Sequence, residues 1–112
     1  MFIQKYNLEC ILILDNLLLY NNNKLYSISI QDGSILYSIT LPSHIKQIQV
    51  TSTNIPIICL SDDGTLYFIS SSLEIIRTKT CKDNSKFVCT QMCSNSRCLQ
   101  VASDANDMYY YE

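Results

Sequence analysis

Short stretches in which every second residue is apolar run along this chain, separated by clusters of Asn, Asp, Ser and Gly. In Lys24–Ile30 one set is Tyr26, Ile28 and Ile30, and the other is Leu25, Ser27 and Ser29. In Thr65–Ser70, Tyr67 and Ile69 share one face while Leu66 and Phe68 share the opposite one. A two-residue period is that of a β-strand, and the β-branched and aromatic content of the runs suits a pleated surface. Runs that are apolar on both faces belong to strands covered on both sides. Ile35, Tyr37, Ile39 and Leu41 alternate with Leu36, Ser38 and Thr40, a half-wet pattern that predicts an outer strand. The runs are too short and too often interrupted for helices, so the chain reads as all-β.

The strands recur in order. Leu25-Tyr26, Leu66-Tyr67 and Met108-Tyr109 are spaced by 41 residues (66 − 25) and 42 residues (108 − 66). Before each pair lies an apolar run: Leu17-Leu18-Leu19, Ile58-Cys59-Leu60 and Gln100-Val101-Ala102. Between run and pair sits a polar turn: Asn21-Asn22-Asn23, Ser61-Asp62-Asp63-Gly64 and Ser103-Asp104-Ala105-Asn106-Asp107. Asn, Asp and Gly tolerate the positive φ of tight hairpins, so each copy holds a hairpin at a known place. A further strand precedes each hairpin (Leu8–Leu14, Ile45–Thr51, Lys86–Gln91), and another follows the first two (Ser34–Leu41, Leu73–Lys79). Four short strands repeating every 40 to 45 residues or so mark a β-propeller blade.

The expected architecture is therefore about three four-stranded antiparallel blades in one partial propeller domain over residues 1–112, with copies at about 8–41, 45–79 and 85–112. Closed rings usually have about four to eight blades. The third copy holds three strands, ending at Tyr109-Tyr110-Tyr111, while Phe2–Tyr6 is a surplus strand at the other end. That arrangement predicts a latch, in which Phe2–Tyr6 completes a last blade, its own or that of a second copy in a six-bladed ring. A terminal blade without a neighbour leaves an apolar face and an open edge, both of which invite association. Phe2, Ile3, Tyr110 and Tyr111 are the expected partner contacts, since tyrosine is enriched at interface hot spots.

Composition narrows the function classes. Eight Lys and Arg stand against ten Asp and Glu, for a net charge of −2, and no basic run supplies the electrostatic footprint of a nucleic-acid binder. The longest clean apolar run near the N-terminus, Cys10–Leu14, is too short for a signal core or a membrane span. No Asn-X-Ser/Thr acceptor occurs. The expectation from these features is a chain inside the cell, cytoplasmic or nuclear, with thiols reduced.

The stretch Lys24–Leu41, KLYSISIQDGSILYSITL, resembles the repeat of quinoprotein-like propellers, with Leu25-Tyr26, Asp32-Gly33 and Tyr37 in matching places. Gly64-Thr65-Leu66-Tyr67 is similar to that family or to the WD40 class. The chain has no tryptophan and neither the Gly-His nor the Trp-Asp pair of WD40 repeats. Nothing in it resembles residues that hold a pyrroloquinoline quinone or its calcium. The resemblance thus implies a fold and not a dehydrogenase, and propellers host many unrelated activities.

Candidate chemistry is sparse. Cys89, Cys93 and Cys98, with Cys81 nearby, form the densest thiol cluster, but no C-x2-C pair of the zinc-knuckle kind occurs; they read as structural thiols. His44, the one histidine, falls in the link between copies one and two, with nothing in its spacing to pair it with a nucleophile. Asp62-Asp63-Gly64, Asp104 and Asp107 read as turn formers. The expectation is a non-catalytic interaction or scaffold subunit without a cofactor, bound to a protein partner or to itself. A nucleic-acid-associated subunit and a fragment of a larger propeller are the alternatives.

Overall fold

In a computed structural model of the chain, residues 9–13, 16–50, 56–81, 86–92, 99–103 and 108–111 are described. They form eleven strands and, among the described residues, no helix. The first sheet runs β1 (Glu9–Ile13), β2 (Asn16–Asn21), β3 (Lys24–Ser29), β4 (Ile35–Thr40). The second runs β5 (Ile45–Val50), β6 (Ile57–Ser61), β7 (Leu66–Ile69), β8 (Ile75–Lys79), and the third β9 (Phe87–Met92), β10 (Leu99–Ser103), β11 (Met108–Tyr111). Within each sheet every strand pairs antiparallel with its neighbour in sequence, with no crossover. The three sheets stack as successive blades and do not close into a ring. Phe2–Tyr6, the turn residues 104–107, Cys93 and Cys98 lie outside the described residues.

The middle blade shows why alternation on both faces matters. Every residue of β6 and β7 is buried. Ile57, Cys59, Tyr67 and Ile69 pack with Leu18, Leu25 and Leu41 of the first blade and its link. Ile58, Leu60, Leu66 and Phe68 pack the other way, with Phe87, Leu99 and Val101 of the third. One strand pair thus supplies two cores. Each fully buried Leu or Ile there contributes about 2 kcal/mol of apolar transfer. Phe87 meets Tyr109 edge-on, with ring centroids 5.3 Å apart, a favoured aromatic geometry.

The outer strands depart from simple alternation. In β4 the register slips between Ser27 and Ile28, so that Tyr37 opposes Ser27 and Ile35 opposes Ile28. Leu36 is the extra residue. Ile35 and Tyr37 therefore do not share a face, and all but Ile39 of this strand is exposed. The bulge recurs in β8, where Arg77 opposes Phe68, Ile75 opposes Ile69, and Ile76 is extra. Ile30, placed by alternation with Tyr26 and Ile28, instead lies in the following turn and is exposed. The bulges add twist at the rim of each blade, where bulges are common.

Candidate functional site

The candidate site is the set of edges and faces through which blades join. The geometry is clearest at the two joints within the molecule. Asn22 sits at φ 56° and Gly64 at φ 82°, each in the hairpin turn between the second and third strands of its blade. This left-handed backbone accompanies a carbonyl bonded to the next blade. The Asn22 carbonyl accepts from the Ile45 amide at 2.7 Å, and the Gly64 carbonyl from the Phe87 amide at 3.2 Å. Turn and acceptor strand are separated by the same 23 residues (45 − 22 and 87 − 64). The two bonds are one device, repeated.

Each joint then adds its own parts. At the first joint, the turn is tied to the link that leaves β4: the Asn23 side-chain amide donates to the Leu41 carbonyl at 2.8 Å while the Leu41 amide donates to the Asn23 carbonyl at 2.7 Å. Between the second and third blades, Gln47 on β5 clamps Thr90 on β9: its Nε2 donates to the Thr90 carbonyl at 3.1 Å and its Oε1 accepts from the Thr90 amide at 2.9 Å. Gln49 Nε2 reaches the same carbonyl at 3.3 Å. β5 and β9 are the first strands of their sheets, so an amide side chain here occupies backbone groups that would otherwise face an open edge.

The turn carboxylates serve local structure. Asp32 accepts from the Ser34 amide at 3.0 Å, and that bond, with the Ser34 hydroxyl, holds its pKa below the ordinary value. Asp63 is pushed up by partial burial, but donation from the Ser61 hydroxyl and the Thr65 amide outweighs this and leaves its pKa lowered. Both are Asx-type turns. Cys59, buried between blades, has its thiol pushed up to about 12 by burial, far from a nucleophile's range. Cys81 is half-buried against the second core. Cys89 opposes Ala102 in the third sheet. Among the described residues no three His, Cys, Asp or Glu side chains come together as a metal set. His44 is exposed, and its carbonyl accepts from the Asp62 amide at 2.8 Å. A cleft lined by Asn16, Leu18, Ser27, Ile57 and Leu73 has about 10 Å³ of free space, the size of one water. No helix among the described residues is long and apolar enough to cross a membrane.

Of the four expected partner contacts, Phe2 and Ile3 lie outside the described residues. Tyr110 opposes Gln100 and Tyr111 opposes Leu99 on β11, the last strand of the third sheet. In the other two sheets the strand at that place, β3 or β7, is followed by an outer strand, β4 or β8. Among the described residues β11 has a partner on one side only. Sequence reasoning missed the Gln47–Thr90 clamp. The 23-residue step is recoverable from the sequence, because it follows from the spacing of the turn and the next blade's first strand.

Stacked antiparallel sheets of three or four strands in consecutive order define this chain as a set of β-propeller blades. Among solved structures it is similar to the β-propeller domain of Cps50 (Swd1) from Myceliophteria thermophila, with a TM-score of 0.67 at 13% identity over 94% of this chain. The chain spans about 40% of that domain's length. No family model matches the sequence, and no curated protein matches it.

Proposed function

We propose that this chain is a non-catalytic interaction subunit whose open blade faces and edges are completed by a protein partner or a second copy. The observation that carries the reading is the open row: among the described residues three blades stack without closing, and β11 is paired on one side. A blade in the middle of the row buries both faces, and an end blade needs a neighbour to do the same. The joints supply the chemistry of that completion, because an incoming first strand meets a turn carbonyl and a side-chain amide. Phe2–Tyr6 is the proposed latch strand, with Phe2 and Ile3 its apolar contacts and Tyr110 and Tyr111 the receiving edge. Intracellular placement, cytoplasmic or nuclear, is part of this proposal and is supported by the absence of N-glycosylation acceptors in the sequence.

The test is the native mass. A stable, well-folded monomer at roughly micromolar concentration would refute the reading. Removing Phe2–Tyr6 should weaken assembly strongly, whereas His44→Ala should leave it intact; equal effects would remove the latch.

A further inference from the structure

The first and second blades each end in a bulged outer strand, and the two edges are defended differently. In β8, Arg77 and Lys79 put two cations on five residues, and Arg77 lies over the Phe68 ring at 4.4 Å. Charges on an edge strand are the usual guard against addition of another strand. β4 has none: its six residues are ILYSIT. Ile35, Leu36 and Tyr37 are 59%, 45% and 46% exposed. The bulge is common to both strands, so it does not account for the difference. Among the described residues β4 is hydrogen-bonded on one side only, to β3. A β-branched and aromatic strand without charge, open along its outer edge, is a template for strand addition.

The charges around β4 indicate the occupant. Lys24, exposed, opposes Thr40 at one end of the β3–β4 hairpin. Asp32, also exposed, sits in the turn at the other end. If two such edges meet antiparallel, the Lys24 end of each lies beside the Asp32 end of the other, twice over. A parallel meeting would set like against like. The strand itself is self-compatible, since an axis near Tyr37 and Ser38 brings aromatic and β-branched residues together without placing charges opposite one another. Such a contact is isologous and closes at two copies. We propose that β4 is a homodimerisation edge, pairing antiparallel with β4 of a second copy across a two-fold axis. The inference is independent of the blade-completion reading, because β4 lies on the rim of a blade and not on the end of the row.

The test is sedimentation of the full chain and its variants. Tyr37→Lys and Tyr37→Glu should each weaken self-association by about tenfold or more, equivalent to about 1.4 kcal/mol, and mixing the two should restore a 1:1 heterodimer. Ser38→Lys, at another exposed position, should repeat the loss if a Tyr37 variant folds poorly. Lys24→Glu should weaken the dimer, and adding Asp32→Lys to it should restore it. In the wild type, β4 amides should exchange as slowly as those of β3. Removing Phe2–Tyr6 should leave this contact in place, which separates it from the latch. Unchanged association in a folded Tyr37→Lys or Ser38→Lys variant would overturn the proposal, as would failure of the mixed variants to pair or fast exchange along β4 in the wild type.

Discussion

The joint between the first and second blades and the joint between the second and third use the same turn-to-strand bond but secure it by different means. Both bury an apolar core, and the first adds an apolar plug from a turn. Leu73 adopts φ 60° in the hairpin after β7, and its side chain is buried among Leu18, Leu25 and Ile57. A leucine in left-handed backbone costs about 1–2 kcal/mol, so the burial must outweigh that. Its counterpart in the first blade is Gly33, at φ 73° with open space where a Cβ would stand. The same backbone bend thus carries a plug in one blade and nothing in the other. The second joint relies on close approach and amides. Gly64 packs so tightly that a Cβ there would come within 2.8 Å of Lys86 Cα, and Gln47 holds Thr90 by both its amide atoms. A repeat fixes where blades meet and leaves open how the meeting is filled.

The contrast can be broken most strongly at the paired turns. Gly64→Ala should cost about 3 kcal/mol, from left-handed strain plus the clash with Lys86, whereas Asn22→Ala should cost only about 1 kcal/mol. Urea unfolding of the two variants measures both. If the two losses were equal, the joints would not differ in closeness. At the plug, Leu73→Ala should cost about 2–3 kcal/mol. Leu73→Gly should cost about 1 kcal/mol less than Leu73→Ala, because glycine relieves the backbone strain. That ordering reverses the usual one and is read from thermal or urea midpoints. Gln47→Ala should cost about 2 kcal/mol by stranding the buried Thr90 amide, and amide exchange at Thr90 should accelerate.

The smallest effect concerns acid. The Asp63 pKa is lowered from 3.8 in the folded chain, so the unfolded chain takes up this proton first as pH falls. Its contribution, roughly 0.5 kcal/mol or less because the exposed carboxylate is screened by solvent, is therefore present above pH 3.8 and is lost as pH drops through the depressed folded value. Asp63→Asn should lower stability at neutral pH and flatten the fall below pH 3.8. A variant with an unchanged acid limb would show that the carboxylate is not held by its turn.

Much of the fold was legible because two periods coincide. The two-residue alternation in Thr65–Ser70 assigned Tyr67 and Ile69 to one core and Leu66 and Phe68 to the other, as observed. The 41- and 42-residue steps set the hairpins in register. The bulges at Leu36 and Ile76 were not legible, since an extra residue in an exposed strand leaves no mark in the hydrophobic pattern. Neither was the role of Gln47, whose partner is 43 residues away and whose residue type is ordinary on a strand. Of the proposed contact residues, Tyr110 and Tyr111 could be placed on the last strand of the third sheet by register, but a repeat pattern within one chain carries no information on a partner.

The turn-to-strand bond has a consequence for how such chains lengthen. The first two copies each bring a carbonyl at their turn, and the second and third each bring an amide at their first strand. A duplicated segment of this length arrives with both halves of its own fastening, one for the copy before and one for the copy after. Tandem gene duplication can add copies without inventing a new interface, and later substitutions, such as leucine at one bend and glycine at another, are then free to tailor each seam separately.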